Sequence, residues 1–187
     1  MVREKYHIKG MICSRCLKVL DNELKALGVI VANLQLGSVE VEYDPEKSDG
    51  LEIEQIIWEN GFDILRNKES ILAEQTKRWI IKYIWATDQS QNLSDFLTFK
   101  MGLNYATLSR NFSKEFGKTI ERYYVMLKME RVKEWIEYGE KNFSQMAYDL
   151  RYQNPSALSR QFKRETGMSM KTYKNLNIRQ RIPLDKL

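Results

Sequence analysis

A chain of 187 residues can hold one large domain or two small ones, and the distribution of charge favours two. Residues 1–70 carry 9 Lys/Arg against 13 Asp/Glu, a net of −4, while residues 71–187 carry 21 against 12, a net of +9, which together give the overall +5. The basic second half points to a polyanionic partner, though a merely solvated basic face has the same count. No apolar run approaches the ~18 residues of a membrane span and no signal-like segment leads the chain, so the cytosol is the expected location and no membrane partner is expected.

Lys5-Tyr6-His7-Ile8-Lys9 alternates as a half-buried strand with Tyr6 and Ile8 inward. After the loop Gly10–Cys16, Leu17, Leu20, Leu24 and Leu27 keep helical spacing and Gly28 ends the helix. Val29 to Leu34 reads as a strand, Gly37-Ser38 as a turn, and Val39, Val41 and Tyr43 as the inward face of the next strand, stopped by Asp44-Pro45. Ile53, Ile56 and Ile57 mark a second helix ended by Asn60-Gly61, and Phe62-Asp63-Ile64-Leu65 is a final strand. The order is βαββαβ, an α+β ferredoxin-like plan for residues 1–68.

Cys13 and Cys16 sit where the first strand hands over to a helix. The positive helix N-terminus, with Arg15 and Lys18 nearby, favours thiolates, and thiolates three residues apart can face one ion. Two soft ligands and no more suit Cu(I) first, then Ag(I) and Hg(II). Zn(II) prefers four ligands, and the sequence offers no further Cys and one His, His7, on an outward strand position. Two incidental cysteines remain an alternative. Thioredoxin-type redox chemistry is another, disfavoured by a pattern without a parallel βαβ sheet. One ion per chain is expected; an ion shared between two protomers is the alternative, and whether the chain forms a homo-oligomer is open.

Gly10-Met11-x-Cys13-x-x-Cys16, Val41-x-Tyr43-Asp44-Pro45 and Glu59-x-Gly61-Phe62 resemble the heavy-metal-associated domain, the fold shared by copper chaperones and the N-terminal modules of copper-transporting ATPases. The resemblance covers residues 3–66. It implies Cys13 and Cys16 as Cu(I) ligands, Met11 as a buried loop anchor and Phe62 packed near the site. Ile12 stands where the family often has Thr. Met126, Met129 and Met146 fall at helical core spacings and read as packing rather than a Met-rich metal site.

Asn67-Lys68-Glu69-Ser70 is a polar junction without Pro or Gly, running into a helix from Ile71 to Trp85 with Trp79, Ile80, Tyr83 and Ile84 as its apolar stripe. Thr87 to Asn92 is a polar loop. Two copies of one phrase then follow, Leu108-Ser-Arg-Asn-Phe-Ser-Lys-Glu-Phe-Gly117 and Leu158-Ser-Arg-Gln-Phe-Lys-Arg-Glu-Thr-Gly167, fifty residues apart, with Tyr123 and Tyr173 equally far beyond their glycines. Leu and Phe four apart share a helix face, Ser-Arg point elsewhere, and Gly closes the helix, which describes the second helix of a helix-turn-helix. Gly102 and the Asn104 N-cap supply the first turn, and Leu150 to Ser156 a longer second one. Between the copies Thr119 to Tyr138 is helical with Gly139 as its stop, a strut of roughly 30 Å against the ~34 Å between successive major-groove faces. The tail carries Arg179, Arg181 and Pro183.

From about Gln75 to Lys174 the chain resembles the AraC/XylS-type DNA-binding domain, which implies seven helices, two helix-turn-helix units and one connecting helix, an all-α domain over 69–187. Arg151-Tyr152 stands where the family usually has Gly-Phe, and Ser169-Met170 where it has Thr-Pro. An Arg at a turn that favours positive φ implies strain or a different turn. Arg110 and Arg160 are the candidates for base or phosphate contact, with Tyr105, Ala106, Thr107, Ser109, Ser156, Ala157 and Ser159 lining the groove. Lys114, Lys163 and Arg164 are assigned to phosphates. The expected function is a soft-metal-responsive transcription regulator that binds double-stranded DNA, with RNA polymerase a further candidate partner. A constitutive DNA reader with a metal-blind interaction module, and a Cu(I) carrier, are the alternatives. No nucleophile–base pair, carboxylate pair or phosphate-cradling loop argues for an enzyme.

Overall fold

The computed structural model describes residues 1–86, 91–176, 181–184 and 187. Residues 87–90 of the loop expected at Thr87–Asn92 and the tail residue Arg179 lie outside the described residues. In chain order come β1 (Val2–Lys9), α1 (Ser14–Ala26), β2 (Ile30–Gln35), β3 (Ser38–Tyr43), α2 (Gly50–Glu59) and β4 (Asp63–Leu65). Helices α3 (Lys68–Trp85), α4 (Leu93–Met101), α5 (Tyr105–Phe116), α6 (Ile120–Tyr138), α7 (Phe143–Asp149), α8 (Pro155–Thr166) and α9 (Met170–Lys174) follow. No helix among the described residues is long and apolar enough to cross a membrane.

The chain packs as two compact units, one of residues Met1–Trp79 with Leu97–Gly117, the other of Ile80–Phe96 with Lys118–Leu187. In the first, the four strands form an antiparallel sheet in the order β2-β3-β1-β4. Period-2 alternation sends Tyr6 and Ile8 of β1 and Val39, Val41 and Tyr43 of β3 to one face, where Leu20 and Leu24 of α1 and Ile53 and Ile57 of α2 meet them. Each such side chain contributes about 1.5–3 kcal/mol by leaving water. Helix α2 starts at a reciprocal capping box: the Asp49 carboxylate accepts from the Glu52 N–H, and the Glu52 carboxylate from the Asp49 N–H.

Several boundaries differ from expectation: β1 starts at Val2 instead of Lys5, and α1 at Ser14, inside the loop expected at Gly10–Cys16. Strand β2 is shifted one residue on and carries a register irregularity between Val31 and Asn33, a local feature that alternation cannot reveal. Phe62 precedes β4 instead of opening it, its N–H being used to close the end of α2 on the Ile57 carbonyl at 3.2 Å. Helix α3 begins three residues before Ile71, because Asn67 Oδ1 accepts from the Glu69 N–H at 2.7 Å and so starts the helix inside the junction.

In the second unit, Ile80, Tyr83 and Ile84 of α3 are buried, and α6, α7, α8 and α9 close over Met129, Val132, Trp135, Met146, Leu158, Phe162 and Tyr173. Helix α6 is capped by the Thr119 hydroxyl, ends at left-handed Gly139, and carries a buried ion pair, Lys133 Nζ to Glu130 Oε1 at 2.5 Å. The other Glu130 oxygen accepts from the Ile182 N–H at 2.9 Å.

Candidate metal loop and nucleic-acid interface

Strand β1 ends at Lys9, and Gly10 turns the chain with φ +83°, a left-handed conformation glycine adopts without strain. Met11 then drops into the core, wholly buried, and its Sδ accepts from the Gly37 N–H at 3.2 Å. Phe62 is buried beside the turn, its ring 3.8 Å from where a Cβ on Gly10 would lie. The anchored loop leaves Cys13 exposed at the N-cap of α1 and Cys16 half-buried in its first turn, with Sγ···Sγ 3.2 Å.

The two thiols differ. The Cys16 backbone N–H, opposed by partial burial and aided by the Cys16 thiol and by Arg15, holds Cys13 below the ordinary thiol value. That N–H acts at longer range, since the Cys13 side chain makes no full capping hydrogen bond. Burial pushes Cys16 up, and its contact with Cys13 adds to this. Among the described residues no group of three or more His, Cys, Asp and Glu is placed to hold a metal. His7, expected outward and exposed, is half-buried between strands, and burial together with Lys5 and Arg78 lowers its pKa.

The repeated phrases form α5 and α8. Both start at an asparagine whose side chain accepts from the third residue's N–H, Asn104 from Thr107 and Asn154 from Ala157, and both end at a left-handed glycine, Gly117 and Gly167. Leu108 and Phe112, and Leu158 and Phe162, are fully buried. The remaining faces put Ala106, Thr107, Arg110 and Lys114 on the surface of α5, with Tyr105 and Ser109 half-buried. On α8 they put Ser156, Arg160, Lys163 and Arg164 on the surface, with Ala157 and Ser159 half-buried. Arg110 and Arg160 make no salt bridge among the described residues. Lys114, by contrast, is paired with Glu69 at 2.5 Å, which raises its pKa, and Arg164 donates to Gln161.

The turn before α8 is the strained one. Arg151 has φ +57°, the one non-glycine with positive φ among the described residues. Its N–H donates to the Tyr148 carbonyl at 2.9 Å and the Tyr152 N–H to Ala147 at 2.8 Å, the two-bond pattern of a Schellman helix end that usually carries glycine. Lys128 holds this end from below: its Nζ donates to the Leu150 carbonyl at 2.8 Å, between the Tyr124 and Tyr152 rings. Burial, with the Arg151 charge, lowers its pKa to about 8.

Sequence reasoning did not single out Lys128, Glu74 or Arg78. The latter two lie on the face of α3 opposite its apolar stripe, where charged residues are expected in solvent, yet Glu74 is 2% exposed.

A helix-turn-helix domain family matches residues 97–176. The rat (Rattus norvegicus) Copper-transporting ATPase 2 is 32% identical over 111 residues, 57% of this chain and 8% of that protein. The Copper chaperone CopZ of Bacillus subtilis (strain 168) is 28% identical over 69 residues, 35% of this chain and 100% of the chaperone. The chain thus spans under a tenth of the ATPase. Among solved structures, the C-terminal domain of AraT, a response regulator from Geobacillus stearothermophilus, superposes with TM-score 0.50 and 19% identity over 63% of this chain and 92% of that one, a likeness of fold. The chain therefore carries a match to a helix-turn-helix domain over residues 97–176 and is similar over part of its length to proteins named for copper transport and copper chaperoning.

Proposed function

We propose that this protein is a transcription regulator responsive to a soft metal, Cu(I) above Ag(I) or Hg(II), with residues 1–68 as sensor and residues 69–187 as DNA reader. The observation that carries the metal half is the Cys13–Cys16 pair, 3.2 Å apart at the start of α1 on a loop fixed by buried Met11. At a metal–sulfur bond of about 2.3 Å that separation would bend the S–metal–S angle to roughly 90°, so a two-coordinate ion, which favours a wide angle, would draw the exposed Cys13 thiol outward. With no third ligand cluster among the described residues, the donor set suits a soft ion content with two thiolates. Likeness to proteins named for copper transport and copper chaperoning agrees with this.

For the reader half, α4–α5 and α7–α8 are taken as two helix-turn-helix units, with α5 and α8 entering successive major grooves. Arg110 and Arg160 then read bases, and Lys163 and Arg164 hold phosphates. Lys114 reaches phosphate when it leaves Glu69. No catalytic step is assigned.

The test is operator binding by fluorescence anisotropy at fixed salt, for apo, Cu(I)-loaded and Cys13→Ser protein. Loading is expected to change the affinity of wild type by about 5–150-fold, with operator DNA changing Cu(I) affinity by the same factor. Three superimposable curves would defeat the coupling. They would favour a metal-blind N-terminal module or a metal state read by RNA polymerase after DNA is bound.

A further inference from the structure

Within the first compact unit the metal loop touches helix α3 by two routes. The Gly10 N–H donates to Glu74 Oε1 at 3.4 Å, a long bond, while Glu74 Oε2 is buried with no hydrogen-bond partner among the described residues. A buried carboxylate held by one weak bond is costly and poised to change partners. The second route starts at Met11, whose Sδ accepts from Gly37, and Gly37 lies against the Arg78 guanidinium so closely that a Cβ there would overlap it. The Gly37 carbonyl in turn accepts from the Ile8 N–H at 2.9 Å. Burial lowers the pKa of Arg78 and the Glu74 charge opposes this, so the two α3 groups sense each other.

The same stretch of α3 grips the C-terminal end of α5. The Ser70 hydroxyl donates to Glu115 at 2.9 Å, Lys114 pairs with Glu69 at 2.5 Å, and the Lys77 ammonium lies 5.5 Å from the centre of the Phe116 ring. Ser70 and Glu74 are one helical turn apart, and Lys77 is nearly one turn further on. Residues 69–78 of α3 thus contact the metal loop and the end of α5 at once.

We propose that Glu74 is the positioning residue through which the state of the Gly10–Cys16 loop sets the docking of α3 on α5. The inference rests on the metal-binding reading of Cys13 and Cys16. Fixing both thiols on one ion fixes the loop backbone and alters the Gly10–Glu74 bond. The spare oxygen lets the carboxylate follow the loop while keeping its bond to Gly10. Because α3 moves as one helix, the adjustment arrives at Glu69, Ser70 and Lys77, and so at residues 114–116. It also decides how readily Lys114 leaves Glu69. This supplies the differential contact that any metal-dependent change in α5 requires.

The test uses the full chain, Cu(I) delivered anaerobically from a chelated stock, and hydrogen exchange read segment by segment, with Cu(I) stoichiometry from chelator competition. In wild type, loading is expected to change exchange in residues 105–116 by about fivefold or more, the low end of allosteric couplings. Glu74→Gln, isosteric and still a hydrogen-bond acceptor, is expected to take one Cu(I) per chain while the response in 105–116 disappears. Should Glu74→Gln fail to fold, Glu69→Ala with Ser70→Ala, at an exposed and a half-buried position, is expected to keep the loop response and lose that of α5. Cu(I) binding in wild type without any response in 105–116, or an undiminished response in these variants, would overturn the inference and leave the metal reading standing. Absence of Cu(I) binding at Cys13 and Cys16 would remove both.

Discussion

Cys13 and Cys16 share a loop but not an environment. Cys13, exposed and held down by backbone amide and Arg15, is the more ionised thiol, whereas burial keeps the proton on Cys16. Iodoacetamide at neutral pH should therefore alkylate Cys13 first, with peptide mapping as the readout; preferential labelling of Cys16 would contradict the assigned environments. Metal binding must displace the Cys16 proton, so apparent Cu(I) affinity should rise as pH rises through the thiol range. Arg151 illustrates the opposite kind of residue, one working against its backbone. Arg151→Gly should raise stability by about 1 kcal/mol, seen as a higher urea midpoint, since glycine accepts φ +57° freely. The loss of the exposed Arg151 bond to the Gln91 carbonyl, 3.2 Å, subtracts only part of this. The motif spacing and the odd Arg at a glycine position were both legible in the sequence. Glu74 and Arg78 were not assigned, because their partners, Gly10 and Gly37, lie 64 and 41 positions away and no local pattern links them.

Elements were legible where one rule dominated. Alternation gave β1 and β3, helical spacing gave α1, α2 and α6, and the Asn and Gly punctuation gave both ends of α5. The start of α3 was misplaced because an Asx cap within the junction outweighs the first apolar residue as a start signal. Helix α6 also hides something that periodicity misassigns: Glu130 and Lys133 are buried at positions a pattern reader expects to be apolar or exposed. Removing one partner leaves the other charged in a low-dielectric site. Lys133→Ala should cost about 3 kcal/mol or more in denaturant unfolding, while replacing both by Met and Leu should recover most of the loss. A single substitution that proved neutral would mean that water reaches the pair.

At the scale of the molecule, the −4 first segment and the +9 remainder make DNA binding strongly salt-dependent if the basic part is the reader. Arg110→Ala should cost about 1–3 kcal/mol on a specific site and relax its sequence preference, whereas Lys163→Ala should weaken all sequences alike and lower the salt slope by about 1. Equal effects of both substitutions on specific and random DNA would argue against base reading by α5. Charge asymmetry and repeats made the helix-turn-helix part legible; the way packing groups the elements was not legible, since it depends on long-range contacts of α3. Residues Met1–Trp79 pack together with Leu97–Gly117, so the first two thirds of α3 belong with the sheet and with α4–α5. If Cys13 and Cys16 bind metal and Glu74 positions α3 as proposed, a graft of the first 66 residues onto another protein would carry the binding loop without the contacts that link it to α5. A portable cassette would then end after Arg78, and the recipient would need a surface equivalent to Lys114, Glu115 and Phe116 for α3 to hold.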